Sequence, residues 1–581
     1  MRTISKLSVI VLIVFFLFFS VSCSDEEETD IIGAHTVPVL NLPFQAAAVS
    51  FDDIDFDEDQ INGSLLITKA TDETLVDEYR VYWGSSATEK LSGQEAIATF
   101  SADGTDPSHS FSADSSVPAG ATHFLVYSAT ETDVEAPPTA LDIPDACYKL
   151  VKDIRVGSNG SLIGDSMVMN NILYFAAEGT SGHKELWKSD GIESGTEKLK
   201  TLSTTFKNPP RVFTVDGNTL YFTGHDDASV TELWKTDGTA AGTVQLTDFN
   251  LDVPWPSFGE LTAMNGEIFF PMDGDGSGRE LWKNSGSTPT NQTQVSHIEG
   301  SNEPAIPSNP SSAVSNNKLF FAAGDVTNNV ELWSTDGGSP VLVKDIDDSG
   351  GISSSPKHLT AMNGLLYFSC DANSASGSSE LWKSDGTTVG TTVVKVIHPT
   401  TSGTIDSNSK FLAAGNTLYF VAMDDSAHGF ELWRSDGTNA ETKMVKDITP
   451  GIGSGTVGRM TEFSGKVFFK AGATANDSQL WETDGTEAGT NLVKSISTGI
   501  SGSAPAGLTV FGDHLYFFAA DAVGNKELWR SDGTENGTFA VTNFTGDINA
   551  SDAWIQAAGD KLLFLATNAA VGQELFVFYY K

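Results

Sequence analysis

The stretch Glu380-Leu381-Trp382-Lys383-Ser384-Asp385-Gly386-Thr387 decides the fold, because it returns along the chain at a nearly fixed distance. Glu-Leu-Trp or a near match ends at Trp187, Trp234, Trp282, Trp333, Trp382, Trp433, Trp481 and Trp529, and a ninth copy reads Glu574-Leu575-Phe576. Successive copies lie 47, 48, 51, 49, 51, 48, 48 and 47 residues apart. Seven of the eight Trp copies continue into Asp-Gly, whereas the third reads Asn284-Ser285-Gly286. A period of this length marks a repeat architecture before any single element is considered.

Each unit carries four apolar segments, here called A to D. In the fifth they are residues 358–362, 365–369, 380–383 and 391–397. Between A and B every copy has a two-residue turn, such as Asn170-Asn171, Asn363-Gly364 or Gly415-Asn416. Asn and Gly tolerate the positive φ of tight hairpins, so A and B pair. Asp-Gly turns C into D, with the Asp carboxylate accepting loop amides and Gly supplying positive φ. Four antiparallel strands in about 48 residues is the size of a propeller blade. The ninth unit stops at Lys581 after its C segment, and a D-like segment, Tyr148-Lys149-Leu150-Val151-Lys152-Asp153-Ile154, precedes the first unit. It matches Val341–Ile346 and Met444–Ile448, so the expectation is a ring of nine blades closed by the N-terminal strand. The fold class expected is all-β: a β-propeller over 148–581, preceded by a small β-sandwich over 48–142.

The sandwich rests on strand-like segments at 64–68, 78–83, 96–100 and 123–127, separated by turn-rich stretches. Residues 1–22 read as a lipoprotein signal peptide: Arg2 and Lys6, an apolar run from Leu7 to Val21, then Ser22-Cys23. Residues 23–47 read as an acidic linker that starts with Ser24-Asp25-Glu26-Glu27-Glu28 after the Cys. No other apolar run is long enough to span a bilayer, so membrane attachment is expected through a lipid on Cys23 alone.

The 581 residues hold 34 Lys+Arg against 76 Asp+Glu, a formal charge of −42. Loss of Arg2 and Lys6 with the signal would make it −44 (32 − 76). This balance excludes a nucleic-acid partner, which needs clustered cations, and a polybasic membrane contact. Three Cys exclude a disulfide scaffold, while 35 Phe, 11 Trp and 11 Tyr argue against disorder.

Four resemblances add to this. The end of the apolar run resembles the bacterial lipobox, with Ser20 where that family prefers Leu; the acidic tract resembles the surface-export signal of Bacteroidota lipoproteins. Tyr79–Gly84 with residues 118–127 resembles fibronectin-type-III-like modules of bacterial surface proteins. The recurring motif resembles the bacterial ELWxxDGT-repeat proteins over about 148–581, which implies a secreted or surface β-propeller of undefined ligand and carries over no catalytic residue.

Loop lengths place the binding face. A–B and C–D turns are short and alike; B–C loops, read as about seven to ten residues, and D–A loops vary, which marks their shared face for ligand. Strand B is followed there by Asp226, Asp273, Asp325, Asp371, Asp424 and Asp521, and by Glu178 in the first unit. These carboxylates read either as a ring for Ca²⁺ or a cationic partner, or as acceptors within their own loops. Asp273 and Asp275 are the best single metal pair. Trp255 in Val253-Pro254-Trp255-Pro256 would stack on a sugar or pack over a blade edge. Asp53, Asp55, Asp57 and Asp59 resemble a calcium loop, but Glu58 stands where an EF-hand needs Gly; the alternative is a solvated acidic turn. The Trp of each repeat reads as inter-blade packing rather than a ligand platform.

The expected function is a non-enzymatic adhesion or binding lipoprotein of the outer membrane, on the cell surface or its periplasmic side. It would take an extracellular glycan or protein on the loop face and need no cofactor, Ca²⁺ excepted. No nucleophile elbow or His-Glu-x-x-His motif breaks the repeat symmetry. The alternatives are a propeller enzyme acting on polysaccharide and a scaffold of an envelope complex. Asp521 to Trp529 is similar to the Trp-docking repeat of pyrroloquinoline-quinone enzymes, but Cys147 and Cys370 lack the adjacent Cys many of those carry.

Overall fold

A computed structural model describes residues 45–579 with interruptions, among them 54–59, 131–137, 250–257, 274–278, 287–291, 296–305, 307–311, 347–352 and 372–379. The chain divides into one unit that ends at Cys147 and a second over Tyr148–Tyr580.

The first unit holds β1 (Ala48–Asp53), β2 (Gln60–Thr68), β3 (Glu78–Gly84), β4 (Ala98–Ser101), β5 (Ser108–Ser116), β6 (His123–Ala129) and β7 (Thr139–Asp142). They form one sheet ordered β1-β2-β5 and another ordered β4-β3-β6-β7. Alternation puts Leu65 and Ile67 of β2 into the same core as Tyr79, Val81 and Trp83 of β3 and Phe124 and Val126 of β6. Trp83 stacks on Phe124 with centroids 5.1 Å apart. The buried Tyr79 hydroxyl accepts from the Ala70 amide at 2.7 Å and donates to Glu73 at 2.8 Å. Burial pushes its pKa up to about 12.

The second unit is a succession of four-stranded antiparallel sheets, the β-propeller architecture, all but the last running A to D in chain order. Among the described residues there are nine. The A–B turns divide by their first residue. Where it is Asn or Ser, both central residues have positive φ, as in Asn363 (52°) and Gly364 (74°) or Ser464 (52°) and Gly465 (75°). Where it is Gly, as at Gly217, Gly415, Gly512 and Gly559, only that Gly does. These are the two mirror-image turns whose twist suits a hairpin.

The C–D turn is built as the sequence predicts. Asp385 accepts the Thr387 amide at 2.8 Å and its hydroxyl at 2.7 Å, and Gly386 has φ of 86°. The Thr387 hydroxyl, then its amide, hold the Asp385 carboxyl below the usual range. Under the turn the buried hydroxyls of Ser384 and Thr391 meet at 2.7 Å. A Cβ on Gly390 would lie 2.0 Å from the Asp385 carboxylate, although the sixth sheet makes the same turn over Asp436 with Glu441 at that position. Asp385→Ala is expected to cost about 1 kcal/mol, read as a lower midpoint in urea with an unchanged slope.

Two recurring lysines tie several of the neighbouring sheets. The Lys after Trp donates to the turn Gly of the next sheet: Lys188 to Gly238 O at 3.1 Å, Lys383 to Gly437 O at 2.9 Å. The Lys of strand D donates to the Thr after that turn: Lys344 to Thr391 O at 2.9 Å, Lys446 to Thr490 O at 2.7 Å. Trp234 packs with Tyr174 and Leu186 of the preceding sheet, and Trp433 with Tyr367 and Leu381. The repeat aromatic is therefore core between sheets.

The two ends of the unit meet. β8 (Tyr148–Lys152) pairs antiparallel with the last C strand, Gly572–Tyr579, with Phe576 opposite Leu150. Lys152 then donates to Thr196 O of the first sheet at 2.8 Å, the bond that Lys200, Lys344, Lys446 and Lys494 make to their next sheets. Val151 and Ile154 share a core with Leu563 and Leu575 of the last sheet and Leu173, Phe175 and Trp187 of the first. First strands touch first strands from sheet to sheet, including the ninth with the first.

Candidate functional site

The B–C and D–A loops leave the same ends of the strands, and one buried side chain per sheet stands beneath them, in most sheets bonded to the segment after strand D. It is the Glu of Glu-Leu-Trp. Glu185, Glu232, Glu280, Glu331, Glu380, Glu431, Glu527 and Glu574 are all buried, as is Gln479 in the seventh copy. Glu431 accepts the Ile448 and Thr449 amides, each at 3.2 Å, where strand D passes into the D–A loop. Glu331 accepts the Ile346 amide at 3.1 Å and the Ser354 amide at 2.9 Å. Glu574 accepts the Ser161 hydroxyl at 2.7 Å and, at 3.4 Å, the Ile154 and Arg155 amides. Gln479 fills the same place uncharged, accepting the Ile496 amide at 3.1 Å and donating to Ser497 O at 2.8 Å. Burial raises the carboxyl pKa to about 7 at Glu232, Glu431 and Glu574, and also raises it at Glu331 and Glu380. The signal was in the sequence: an acid in a fixed strand position beside an always apolar Leu.

B–C loops span from three residues between Asp325 and Asn329 to nine between Cys370 and Glu380, shorter than the sequence reading because strands B and C extend into them. Among the acids assigned to this face, Asp226 accepts the Val230 amide at 3.0 Å and Asp521 the Asn525 amide at 2.8 Å, each closing its own loop. Asp424 meets His428 Nδ1 at 3.0 Å, and Asp447 lies 3.9 Å from the other ring nitrogen. Glu178 pairs with Arg155 at 3.1 Å. The Asp371 amide donates to Ser354 O at 2.8 Å, and Asp273 is half-buried after strand B. Asp325 ends a B strand opposite Asn329. Asp53 lies in β1; Asp55, Asp57, Asp59, Asp275, Trp255 and Cys23 lie outside the described residues. Among the described residues no three His, Cys, Asp or Glu side chains gather as a metal ion would require.

Two further groups have chemical interest. His358 Nδ1 and Ser369 Oγ are 2.7 Å apart, but Ser369 is only 2% exposed and the imidazole stacks on Phe411 at 5.0 Å. Burial thus keeps the Ser369 hydroxyl from solvent, where as a nucleophile it could not meet substrate, while His358 is half-buried. The Cys370 thiol is buried, and burial pushes its pKa well up, so it is not a reactive thiolate.

No protein-family model matches the chain. No curated protein matches it either. Among solved structures it is similar to the β-propeller domain of the Trilobed protease from Pyrococcus furiosus, at 12% identity and a TM-score of 0.33, over 67% of this chain and 99% of that one. It is also similar to puromycin hydrolase, at 14% identity and a TM-score of 0.34, over 72% of this chain and 60% of that one. A prolyl endopeptidase matches at 12% identity and a TM-score of 0.35, over 72% of this chain and 57% of that one. The chain thus spans less than two thirds of the hydrolase and the endopeptidase. The likeness is one of β-propeller fold. These neighbours, a protease propeller domain, a hydrolase and an endopeptidase, stand against the expectation that the chain is not an enzyme.

Proposed function

We propose that the second unit is a closed nine-bladed propeller whose B–C and D–A loops bind an extracellular glycan or protein, and that the chain is a lipid-anchored outer-membrane protein of the ELWxxDGT-repeat kind. The observation that carries the binding reading is the contrast between the two ends of the strands. On one, the A–B turns are all two-residue hairpins of two kinds and the C–D turns are nearly all Asp-Gly. On the other, loops of three to nine residues ride on a fixed layer of buried Glu. A rigid layer under variable loops is how binding sites are built on repeats.

The strand orders β1-β2-β5 and β4-β3-β6-β7, around one core, support a fibronectin-type-III-like sandwich for the first unit. The lipid anchor rests on the apolar run before Cys23. Among the described residues no helix is long and apolar enough to cross a membrane.

The test is a glycan and matrix-protein array probed with the whole chain, with mass spectrometry of bound ligand to detect turnover. Asp424→Ala with His428→Ala, on the loop face, is expected to weaken binding by about tenfold. Asn363→Gly, in an A–B turn at the other end, should leave it unchanged. Loss of binding from the turn variant alone would overturn the assignment of the face. Palmitate labelling that persists in Cys23→Ser would overturn the anchor.

A further inference from the structure

In the second unit almost every described Lys and Arg side chain is committed to a neighbour, through the ties between sheets or through ion pairs such as Arg434–Glu441 at 2.7 Å. Five are not: Arg211, Lys357, Lys410, Arg459 and Lys470 make no side-chain hydrogen bond or ion pair with a described residue. They share one place. Arg211 and Lys357 begin strand A of sheets two and five, opposite Thr223 and Ser369 of strand B. Lys470 takes that strand B position in sheet seven, opposite Gly458, and Arg459 follows Gly458. Lys410 stands just before strand A of sheet six, next to Phe411. His358 and Phe411, the residues that follow Lys357 and Lys410, stack at 5.0 Å between adjacent sheets.

Four of the five therefore line the loop-side start of the inner strands over three consecutive sheets, in a chain of net charge −42. Lys357, Lys410 and Arg459 are exposed, while Lys470 is half-buried. Burial and the like charge of Arg459 both disfavour the Lys470 ammonium. Such an arrangement is unfavourable until an anion joins it.

We propose that Lys357, Lys410, Arg459 and Lys470 form a binding site for an acidic oligosaccharide, one carrying carboxylate or sulfate groups along its length. The site deepens the loop-face reading and rests on it. Charges spread over three sheets suit several oxyanions in a row rather than one ion. An acidic peptide would bind best by adding a strand to the free edge of strand A. That edge is broken at the cations: the A–B register shifts after Lys357 and after Gly458, and His358 (57°) and Arg459 (52°) have positive φ.

The test is calorimetric titration of the whole chain at low salt with an oligogalacturonate, a sulfated hexasaccharide, inorganic sulfate and an oligoglutamate. One or both saccharides should bind, the preferred one telling uronate from sulfate ester, and added salt should weaken the binding. Lys410→Glu with Arg459→Glu should lower affinity at least about tenfold. Lys443→Glu, which reverses a charge on an outer strand, should not. Should the double variant melt early, Lys410→Gln alone, with a smaller salt dependence, serves the same purpose. The site is overturned if neither saccharide binds, if inorganic sulfate or oligoglutamate binds as well as they do, or if the double variant keeps full affinity at an unchanged Tm. A ligand found on the array that the double variant still binds would overturn this site and leave the loop-face reading standing. Silence in both experiments removes both.

Discussion

Val151→Asp is expected to destabilise the second unit as much as Val343→Asp, by about 4 kcal/mol or more in each case. Val343 lies in strand D of the fourth sheet, an interior repeat. Val151 lies in the segment before the first repeat, where sequence position alone suggests a linker. Both are 3% exposed and both precede the Lys that reaches the next sheet. If Tyr148–Lys152 is the fourth strand of the ninth sheet, a carboxylate at either Val enters the same dry layer. A lost strand there also opens the contact between the last sheet and the first, so unfolding should remain one transition at a lower Tm. A silent Val151→Asp would mean that the pairing with Gly572–Tyr579 contributes nothing.

The second large effect is a dependence of stability on pH that runs opposite to acid denaturation. Glu232, Glu431 and Glu574 have folded-state pKa near 7, raised from the ordinary carboxyl value near 4.5. The folded state therefore binds more protons between those values, so stability is full below about pH 4.5 and is lost as pH rises through about 7. Discounted for screening, each shift leaves on the order of 1–2 kcal/mol per carboxyl. Asp237, Asp385, Asp436 and Asp484 act the other way, being held below their usual range by the turn Thr, and their contribution fades only below about pH 4. Tm should be highest near pH 5 and fall towards pH 8. General relief of negative charge would give the same trend, so Glu431→Gln is the discriminating variant. Gln479 shows that the site accepts an amide. The variant should gain at pH 8 relative to wild type and change little at pH 5. Glu431→Ala, which orphans the Ile448 and Thr449 amides, should lose at both.

The repeat made most of the second unit legible. Turn residues that require positive φ stood where hairpins were expected, and Val341–Ile346 marked Tyr148–Ile154 as a displaced D strand. The first unit was read less fully. β5 is Ser108–Ser116, with Phe111 its one large apolar residue, so no alternation announced it. β1 and β7 are short edge strands that pairing rather than composition specifies. At the loop face, the acids were read by their exposed position after strand B. Asp226 and Asp521 close their own loops, one of the two readings the sequence left open, while the acid buried beneath the face is the Glu of the motif. An ionisable residue in strand C looks solvated until its D–A loop partners are known, and those lie about 15 to 25 residues away. The unpaired cations escaped notice for a similar reason. In sequence they are scattered Lys and Arg, and only sheet register brings them together.

The central claim is that the chain closes a nine-sheet ring with its own N-terminal strand. Amide hydrogen exchange over residues 148–152 in the intact chain tests it most directly. The account predicts protection equal to that of Val341–Lys344 and Lys443–Lys446, the matching D strands of interior sheets, and simultaneous loss of protection in the last C strand when Val151→Asp is introduced. Exchange of residues 148–152 at the rate of an unstructured peptide, with Gly572–Tyr579 unaffected by the substitution, would contradict it.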